Sequence, residues 1–168
     1  MHDELTKKDL EKMQEELDHR ILELRPKLIE DVKVARGYGD LSENFEYKEA
    51  KRAKNRNDSR IRYLQAMIKT AVVIEDGNTE EGIVGLYDKV TVYVPEDDDE
   101  ETYTIVTGVR YDVSKGFVSK ESPFGKAVFG KRVGESAMVE VSDDYRYEVV
   151  IRAVEKGVYD DSAPLASY

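Results

Sequence analysis

Two carboxylates, Asp40 and Glu43, stand three residues apart in the segment 37–47, which reads Gly-Tyr-Gly-Asp-Leu-Ser-Glu-Asn-Phe-Glu-Tyr. Hard cations such as Mg²⁺ prefer oxygen ligands, and Mg²⁺ usually binds one or two carboxylates together with phosphates and water. The pair is therefore suited to complete the coordination of an ion that another molecule already holds in part. The same spacing also fits a capping box, in which each carboxylate accepts from a backbone N–H at a helix start. Spacing alone leaves both interpretations open.

Basic side chains follow these carboxylates along the chain. Residues 48–62 contain seven basic and two acidic residues, although the whole chain has a net charge of −10. Four of the basic residues recur at intervals of four, namely Lys48, Arg52, Arg56 and Arg60. This spacing places them on one face of a helix. The face is either solvated, with its charges balanced by acidic residues of the preceding helix, or it contacts nucleic-acid phosphates, which the planar guanidinium binds bidentately.

Two aromatic residues, Tyr38 and Phe45, flank the carboxylate pair. Either ring could stack on a nucleobase or lie against a partner protein, but packing within a helical turn is the more common role of such residues. A second acidic run, 97–101, lacks the glycine and the alternating ligands of a calcium loop. We interpret that run as a solvated connection between strands.

The composition limits the possible functions. The chain has 168 residues, no cysteine and two histidines, which excludes a disulfide framework, a thiolate nucleophile and a cysteine-ligated zinc site. Its negative net charge argues against general binding to duplex DNA. No apolar run approaches the roughly 18 residues of a membrane span, and the charged N-terminus does not resemble a signal peptide. We therefore expect a protein of the cytoplasm with no membrane partner.

Helical periodicity on both sides of the segment 37–47 indicates the elements that position the carboxylates. A first apolar stripe follows the predicted N-cap Thr6 and consists of Leu10, Met13, Leu17, Ile21, Leu24, Leu28, Val32 and Ala35. A second stripe consists of Tyr47, Ala50, Lys54, Asn57, Ile61, Leu64 and Ile68, and continues to Val72. Two stripes of equal length predict an antiparallel helical hairpin about 45 Å long, with its turn at 37–47.

Three features of the hairpin follow from individual residues. Pro26 removes a backbone donor and should bend the first helix without ending it, because the apolar pattern resumes in phase. Gly37 and Gly39 supply the backbone freedom for the reversal. Lys54 and Asn57 are polar at positions between the helices, which lowers stability but helps to fix the register.

After a linker near residues 75–78, the apolar residues recur at about every second position, which predicts a second domain rich in strands. We predict strands at 90–94 and 103–109, joined by the acidic loop 95–101, and a hairpin formed by 137–141 and 145–154. A short helix is predicted after Ser122, with Pro123 at its first position and Gly130 beyond its end.

Several separated motifs resemble those of the GreA/GreB family of bacterial transcript-cleavage elongation factors, and of its A-type branch most closely. The turn signature runs from Gly39 to Tyr47, and further matches lie at 25–26, 35–36, 60–61, 71–74, 101–106, 122–127 and 130–134. The resemblance covers residues 5 to 155. It implies an α+β fold in which an antiparallel coiled-coil hairpin, residues 1–75, precedes an FKBP-like domain, residues 80–156. We expect the remaining tail, 157–168, to be disordered.

The resemblance also implies a function and a set of site residues. Members of the family dock on the rim of the RNA polymerase secondary channel, insert the hairpin, and stimulate cleavage of backtracked nascent RNA by the polymerase. The tip acids, which correspond to Asp40 and Glu43, help to bind a Mg²⁺ ion of the polymerase active centre. Ser42 also matches, and Tyr38 and Phe45 would support the tip. The basic residues Arg36, Lys48, Arg52, Arg56 and Arg60 would correspond to the patch that contacts the RNA. The resemblance implies a monomer with no catalysis and no cofactor of its own.

The sequence departs from the family pattern in ways that leave alternatives open. Phe45 stands where the family usually has alanine, Gly37 and Tyr38 make the approach to the tip unusual, and the basic second helix indicates some B-type behaviour. An inhibitor that occupies the channel without stimulating cleavage is the main alternative, although the intact acids disfavour it. A prolyl isomerase is disfavoured because the second domain offers few of the aromatic residues that line such a pocket. A coiled-coil scaffold would not require the acids.

Overall fold

The chain forms two compact units in a computed structural model that describes residues 3–39, 43–75, 80–158 and 164–166. The first unit consists mainly of Lys8–Val72, and the second of Glu4–Lys7 together with Val73–Ser167. Residues 76–78 of the predicted linker lie outside the described residues, as does Thr79. No helix in the described part of the chain is both long enough and apolar enough to cross a membrane.

The first unit is a helical hairpin, as predicted. Its first arm consists of helix α1 (Lys7–His19), a π-helical turn (Arg20–Leu24) and helix α2 (Arg25–Arg36). Its second arm is a single helix, α3 (Phe45–Thr70). Helix α1 begins directly after Thr6, where the sequence predicts a cap.

The predicted apolar stripes form the seam between the two arms. Each residue of both stripes within the helices is buried or half-buried, and the most buried side chains are Met13, Leu17, Ala35, Asn57, Ile61 and Leu64. Met67, which the predicted stripe omits, is also buried. The stripe does not extend to Val72 as predicted, because α3 ends at Thr70 and strand β2 (Val72–Ile74) follows.

The π-helical turn lies immediately before Pro26. Because proline has no backbone N–H, the carbonyl of Leu22 lacks its α-helical partner four residues later. At this point the Arg25 N–H donates to the carbonyl of Arg20, five residues earlier, which is the π-helical pattern. The helix therefore continues through Pro26, as predicted, with its hydrogen bonds locally rearranged.

Polar side chains connect the two arms at mid-length. Arg20 Nη1 donates to Asn57 Oδ1 at 2.8 Å, and Asn57 Nδ2 donates to the Arg20 carbonyl at 3.4 Å. Lys54 pairs with Asp58 on its own helix at 3.0 Å, and Asp58 reaches Arg25 of the first arm at 3.5 Å. A shift of one arm against the other would break these contacts. Asn57 therefore contributes to the register directly, and Lys54 contributes through its ion pair with Asp58.

Glu16 is the centre of an ionic network between the arms. Its carboxylate accepts from Arg60 Nε at 2.8 Å, from Arg60 Nη2 at 3.1 Å and from Arg20 Nε at 2.8 Å. Burial raises the pKa of Glu16, but the hydrogen bonds and charges of Arg60 and Arg20 outweigh it and hold the pKa below the ordinary value of 4.5. The network therefore stabilises the hairpin only while Glu16 is ionised.

We expect the hairpin to lose stability as the pH falls below 4.5, the ordinary pKa of a glutamate, because the folded-state pKa of Glu16 is lower than its unfolded-state value. Thermal unfolding followed by far-ultraviolet circular dichroism should show a smaller decrease over this range in Glu16→Gln than in the wild type. Glu15→Gln, at an exposed neighbouring position, is the matched control. Equal acid sensitivity in the wild type and Glu16→Gln would contradict the assignment.

The second unit is built on a five-stranded sheet. The strands are β3 (Lys89–Val94), β4 (Asp99–Val106), β5 (Phe117–Ser119), β6 (Ser136–Glu140) and β7 (Arg146–Glu155). Their order across the sheet is β5-β4-β3-β7-β6, with β5 parallel to β4 and the other neighbours antiparallel. A register shift between Thr91 and Val92 interrupts the pairing of β3 with β7.

One face of this sheet forms the core with helix α4 (Pro123–Val128). Alternate residues of β3 are buried, as a period of two predicts, and they contribute Val90, Val92 and Val94. Ser122 caps α4 by accepting from the Gly125 N–H at 3.0 Å, and Gly130 has a φ of 80°, so the predicted cap, proline and terminal glycine are confirmed. The predicted α+β fold class is therefore confirmed.

Some predicted boundaries in the second unit are wrong. The acidic run is not entirely a loop, because β4 already begins at Asp99 after a turn that places Asp98 at a φ of 50°. Strand β4 ends at Val106, and Gly108–Arg110 forms a 3₁₀ turn. Neither strand β5 nor the two-stranded sheet formed by β1 (Glu4–Thr6) and β2 was predicted from the sequence.

Residues 164–166, a described part of the predicted tail, contact the second unit. The Ala166 N–H donates to the Val109 carbonyl at 2.6 Å. Residues 159–163 and 167–168 lie outside the described residues, and the disorder of the tail stays a prediction.

Candidate functional site at the hairpin turn

The reversal between α2 and α3 begins with a tight turn. The N–H groups of Gly37 and Tyr38 donate to the carbonyls of Val34 and Ala35, each at 3.1 Å. Gly39 then has a φ of 130°, a backbone conformation that residues with a Cβ rarely adopt. Gly37 has an ordinary φ of −72°. The prediction that the reversal needs the backbone freedom of glycine therefore holds for Gly39 and not for Gly37.

Asn44 joins the two helices at the turn. Its Oδ1 accepts from the Tyr47 N–H at 3.0 Å and so caps α3, while its Nδ2 donates to the Ala35 carbonyl near the end of α2 at 2.7 Å. One side chain thus satisfies an unpaired donor of one helix and an acceptor of the other. The sequence reasoning missed this residue, although asparagine directly before a helix is a known capping signal.

The position of Glu43 follows from the Asn44 cap. Because α3 begins at Phe45 with Asn44 as its N-cap, Glu43 precedes the cap and does not occupy the third helical position. The capping-box interpretation is therefore wrong for Glu43. The Glu43 side chain is exposed and forms no hydrogen bond or ion pair with another described residue. Asp40 and Ser42 lie outside the described residues, and their roles stay predictions.

The two aromatic residues of the turn are exposed. Tyr38 is 66% exposed and Phe45 is 73% exposed, values that do not fit packing within the turn. Both rings line an open concavity together with Glu43, Asn44 and Glu46. Two acidic residues and two aromatic residues of the turn thus line the same space.

The basic residues of α3 separate into an exposed set and one buried member. Lys48, Arg52 and Arg56 are exposed, whereas Arg60 is 8% exposed and pairs with Glu16 of the first arm. A spacing of four advances the side chains by about 40° around the helix at each step, and this drift carries the row into the seam at Arg60. Lys48 and Arg56 form no ion pair with a described residue, while Arg52 pairs with Glu49.

Arg36 lies at the end of α2 and interacts with Tyr47 across the turn. Its guanidinium carbon is 5.5 Å from the centre of the Tyr47 ring. The hydrogen bond from Arg36 outweighs partial burial and, with the charge of Lys51, holds the pKa of the Tyr47 hydroxyl below its ordinary value. Arg36 thus supports the turn, and its predicted RNA contact stays a prediction.

The described residues contain no group of three or more histidine or acidic side chains that could hold a metal ion. Glu43 contributes a single exposed carboxylate, and a Mg²⁺ ion takes about six oxygen ligands. Even with Asp40, most ligands of such an ion would have to come from another molecule. Such a donor set suits an ion whose other ligands come from another molecule or from water.

We expect Asn44→Ala to loosen the turn by about 1 kcal/mol, because the substitution removes the α3 cap and the contact to Ala35. Amide hydrogen exchange at Tyr47 and Lys48 should become faster, while exchange near Leu64 stays unchanged. Asn55→Ala, at an exposed position inside α3, serves as the matched control. Unchanged exchange at Tyr47 in Asn44→Ala would refute the capping role.

Two family models match the chain in succession. The model described as transcription elongation factor, N-terminal, matches residues 4–73, and the model described as transcription elongation factor, GreA/GreB, C-terminal, matches residues 78–156. Together they include the hairpin, its turn and the five-stranded sheet.

Characterised relatives agree with the family models. Transcription elongation factor GreA of Geobacillus kaustophilus is 40% identical over 136 residues, which cover 81% of this chain and 86% of the relative. GreA of Mesoplasma florum is 38% identical over 151 residues, or 89% of this chain and 96% of the relative. Among solved structures, GreA factor homolog 1 of Thermus thermophilus is 23% identical, aligns with 93% of this chain and 100% of its own, and has a TM-score of 0.44.

Proposed function

Because the chain belongs to the GreA/GreB family of transcription elongation factors, we propose that it stimulates the cleavage of backtracked nascent RNA by RNA polymerase. In this proposal the hairpin enters the secondary channel of the polymerase while the second unit docks on the channel rim. The protein acts in the cytoplasm as a monomer and has no catalytic activity of its own.

The observation that carries the proposal is the exposed Glu43 carboxylate at the end of the hairpin. The 26 residues of α3 alone span about 39 Å, which is enough to place its N-terminus deep inside a channel. Glu43 lies outside the capping arrangement of that helix, since Asn44 is the cap. Its carboxylate is therefore available to an external ligand without any loss of helix stability.

The chemistry requires little from the chain itself. A Mg²⁺ ion bound at the polymerase active centre would activate water or stabilise the leaving oxygen in phosphoryl transfer. Glu43 and Asp40 would supply carboxylate oxygens to that ion or accept a hydrogen bond from the attacking water. Asn44 would hold the start of α3 at a fixed place relative to α2, and so would fix the direction of Glu43.

The charge distribution supports the same proposal. The chain as a whole is acidic, whereas Lys48, Arg52 and Arg56 give the exposed side of α3 near the turn a positive charge. A positive potential near the turn favours approach to RNA, and the acidic remainder favours docking on a basic protein surface.

The direct test is to add the full-length protein to stalled, backtracked polymerase complexes that carry end-labelled RNA. We expect the labelled RNA to shorten and the complexes to resume elongation when nucleotides are supplied. Slower elongation without RNA fragments would identify a channel-occupying inhibitor and contradict the proposal. Shortening by the protein in the absence of polymerase would contradict the claim that it has no catalysis of its own.

A further inference from the structure

Phe45 is the most exposed aromatic residue described in the hairpin. Its ring is 73% exposed at the first position of α3, and Tyr38 is 66% exposed across the same concavity. Burial of a large aromatic side chain is strongly favourable in water, so two exposed rings that line one concavity offer a favourable contact surface to a partner. Neither ring is needed for the cap, which Asn44 provides.

Phe45 is aligned with the exposed cations of α3. Arg52 and Arg56 follow it by seven and eleven residues, which places all three within about 20° of one line along the helix. Lys48 lies one turn from Phe45 and borders the same line. Arg52 and Arg56 are therefore about 10 and 16 Å from Phe45 along the helix axis.

An aromatic ring followed by a row of cations is the pattern by which proteins bind single-stranded nucleic acid without sequence preference. A base stacks on the ring, and the cations follow the phosphates of the adjoining nucleotides. Duplex nucleic acid does not fit this arrangement, because its bases already stack on each other and present no free face to a ring. The Glu43 carboxylate beside the rings also disfavours a phosphate directly at the concavity, whereas the face of a base carries no charge.

We propose that Phe45, assisted by Tyr38, is a stacking platform for an unpaired nucleobase of RNA, placed beside Lys48, Arg52 and Arg56, to which the family resemblance already assigns contact with the RNA. This proposal rests on the proposed function, since it names the RNA that lies beside Glu43 during cleavage. The platform is a property of this chain, in which phenylalanine adjoins the acidic turn.

A stacking platform and an apolar protein contact predict different mutational results. Leucine retains apolar area but lacks an aromatic face, whereas tryptophan retains the face and enlarges it. Stacking therefore predicts that Phe45→Leu is defective and that Phe45→Trp is active. A tight contact with a protein wall predicts that the larger tryptophan is at least as harmful as leucine.

The experiment uses the full-length protein and backtracked polymerase complexes with the fluorescent base 2-aminopurine at the RNA 3′ end. We expect the wild type to quench the fluorescence, Phe45→Trp to quench it as well, and Phe45→Leu to leave it nearly unchanged. The protein concentration for half-maximal RNA shortening should rise about tenfold in Phe45→Leu, the factor that about 1.4 kcal/mol of stacking supplies. Tyr145→Leu, at an exposed aromatic residue of the second unit, is the control and should behave as the wild type.

The outcomes separate this inference from the proposed function. Wild-type shortening without quenching, or equal activity of the wild type and Phe45→Leu, would overturn the stacking platform and leave the role of Glu43 intact. Equal defects in Phe45→Leu and Phe45→Trp would assign the ring to a protein contact and also overturn it. Quenching without shortening would instead retain the platform and refute cleavage stimulation.

Discussion

Replacing Glu43 by glutamine is expected to abolish RNA shortening while the protein still binds the polymerase, and Asp40→Asn is expected to do the same. Each substitution keeps the shape of the side chain but removes the negative charge that would interact with a metal ion or an attacking water. Removal of a single electrostatic contact at a reacting centre commonly lowers the rate at least about a hundredfold. The hairpin itself should remain folded, since Glu43 is exposed and lies outside the α3 cap.

The matched control for these variants is Glu46→Gln. Glu46 is an exposed carboxylate that lines the same concavity as Glu43, but it belongs to the first turn of α3. We expect Glu46→Gln to retain RNA shortening to within about threefold. Binding is measured by competition with the wild-type protein for the backtracked complex. Wild-type rates of shortening in both Asp40→Asn and Glu43→Gln would exclude the role that we assign to the turn.

The second large effect is expected for Gly125→Ala in the second unit. A Cβ at position 125 would lie 2.1 Å from the Ser119 carbonyl oxygen and 2.8 Å from the Lys120 carbonyl oxygen, and both are backbone atoms that cannot rotate away. Helix α4 would have to move off the sheet, which would open the core around Phe124 and Val128. We expect a loss of about 3 kcal/mol or more in the free energy of unfolding of this unit.

Thermal unfolding measures the Gly125→Ala effect, and the loss corresponds to a decrease of about 15 °C in the midpoint. Lys126→Ala, at the exposed neighbouring position of the same helix, should change the midpoint by at most about 2 °C. A Gly125→Ala midpoint close to that of Lys126→Ala would show that α4 can shift at little cost. The RNA-shortening activity of Gly125→Ala should decrease only near its lowered midpoint, because the acidic turn belongs to the other unit.

The features that the sequence predicted are those that depend on neighbours in the chain. Helical periodicity identified both arms of the hairpin, because the side chains that face the other arm recur every three or four residues. The cap, proline and glycine around 122–130 identified α4, since each residue acts on its own backbone. Asn57 was predicted to help fix the register as a polar residue in an apolar seam, and its side chain meets Arg20 of the other arm.

The features that were missed depend on contacts between residues distant in the sequence. Strand β1 pairs with β2 almost seventy residues later, and β5 is a three-residue strand whose pairing with β4 no local pattern indicates. Arg60 was grouped with the exposed cations because a spacing of four was treated as a straight line, although it winds around the helix. Asp40 and Glu43 were singled out by residue type and their roles stay predictions, whereas the structure identified Asn44 as the cap of α3.

The π-helical turn before Pro26 makes the two arms unequal in their tolerance of insertions and deletions. A π turn already contains one residue more than an α turn, so loss of one codon within Arg20–Leu24 can convert it to an α turn. Loss of one residue within α3 would instead rotate every later side chain by about 100° around the helix. Arg52 and Arg56 would then no longer be aligned with Phe45, and the apolar stripe would no longer face the first arm. Variation in length among related proteins is therefore expected to accumulate in the first arm, while the second arm keeps its residue count.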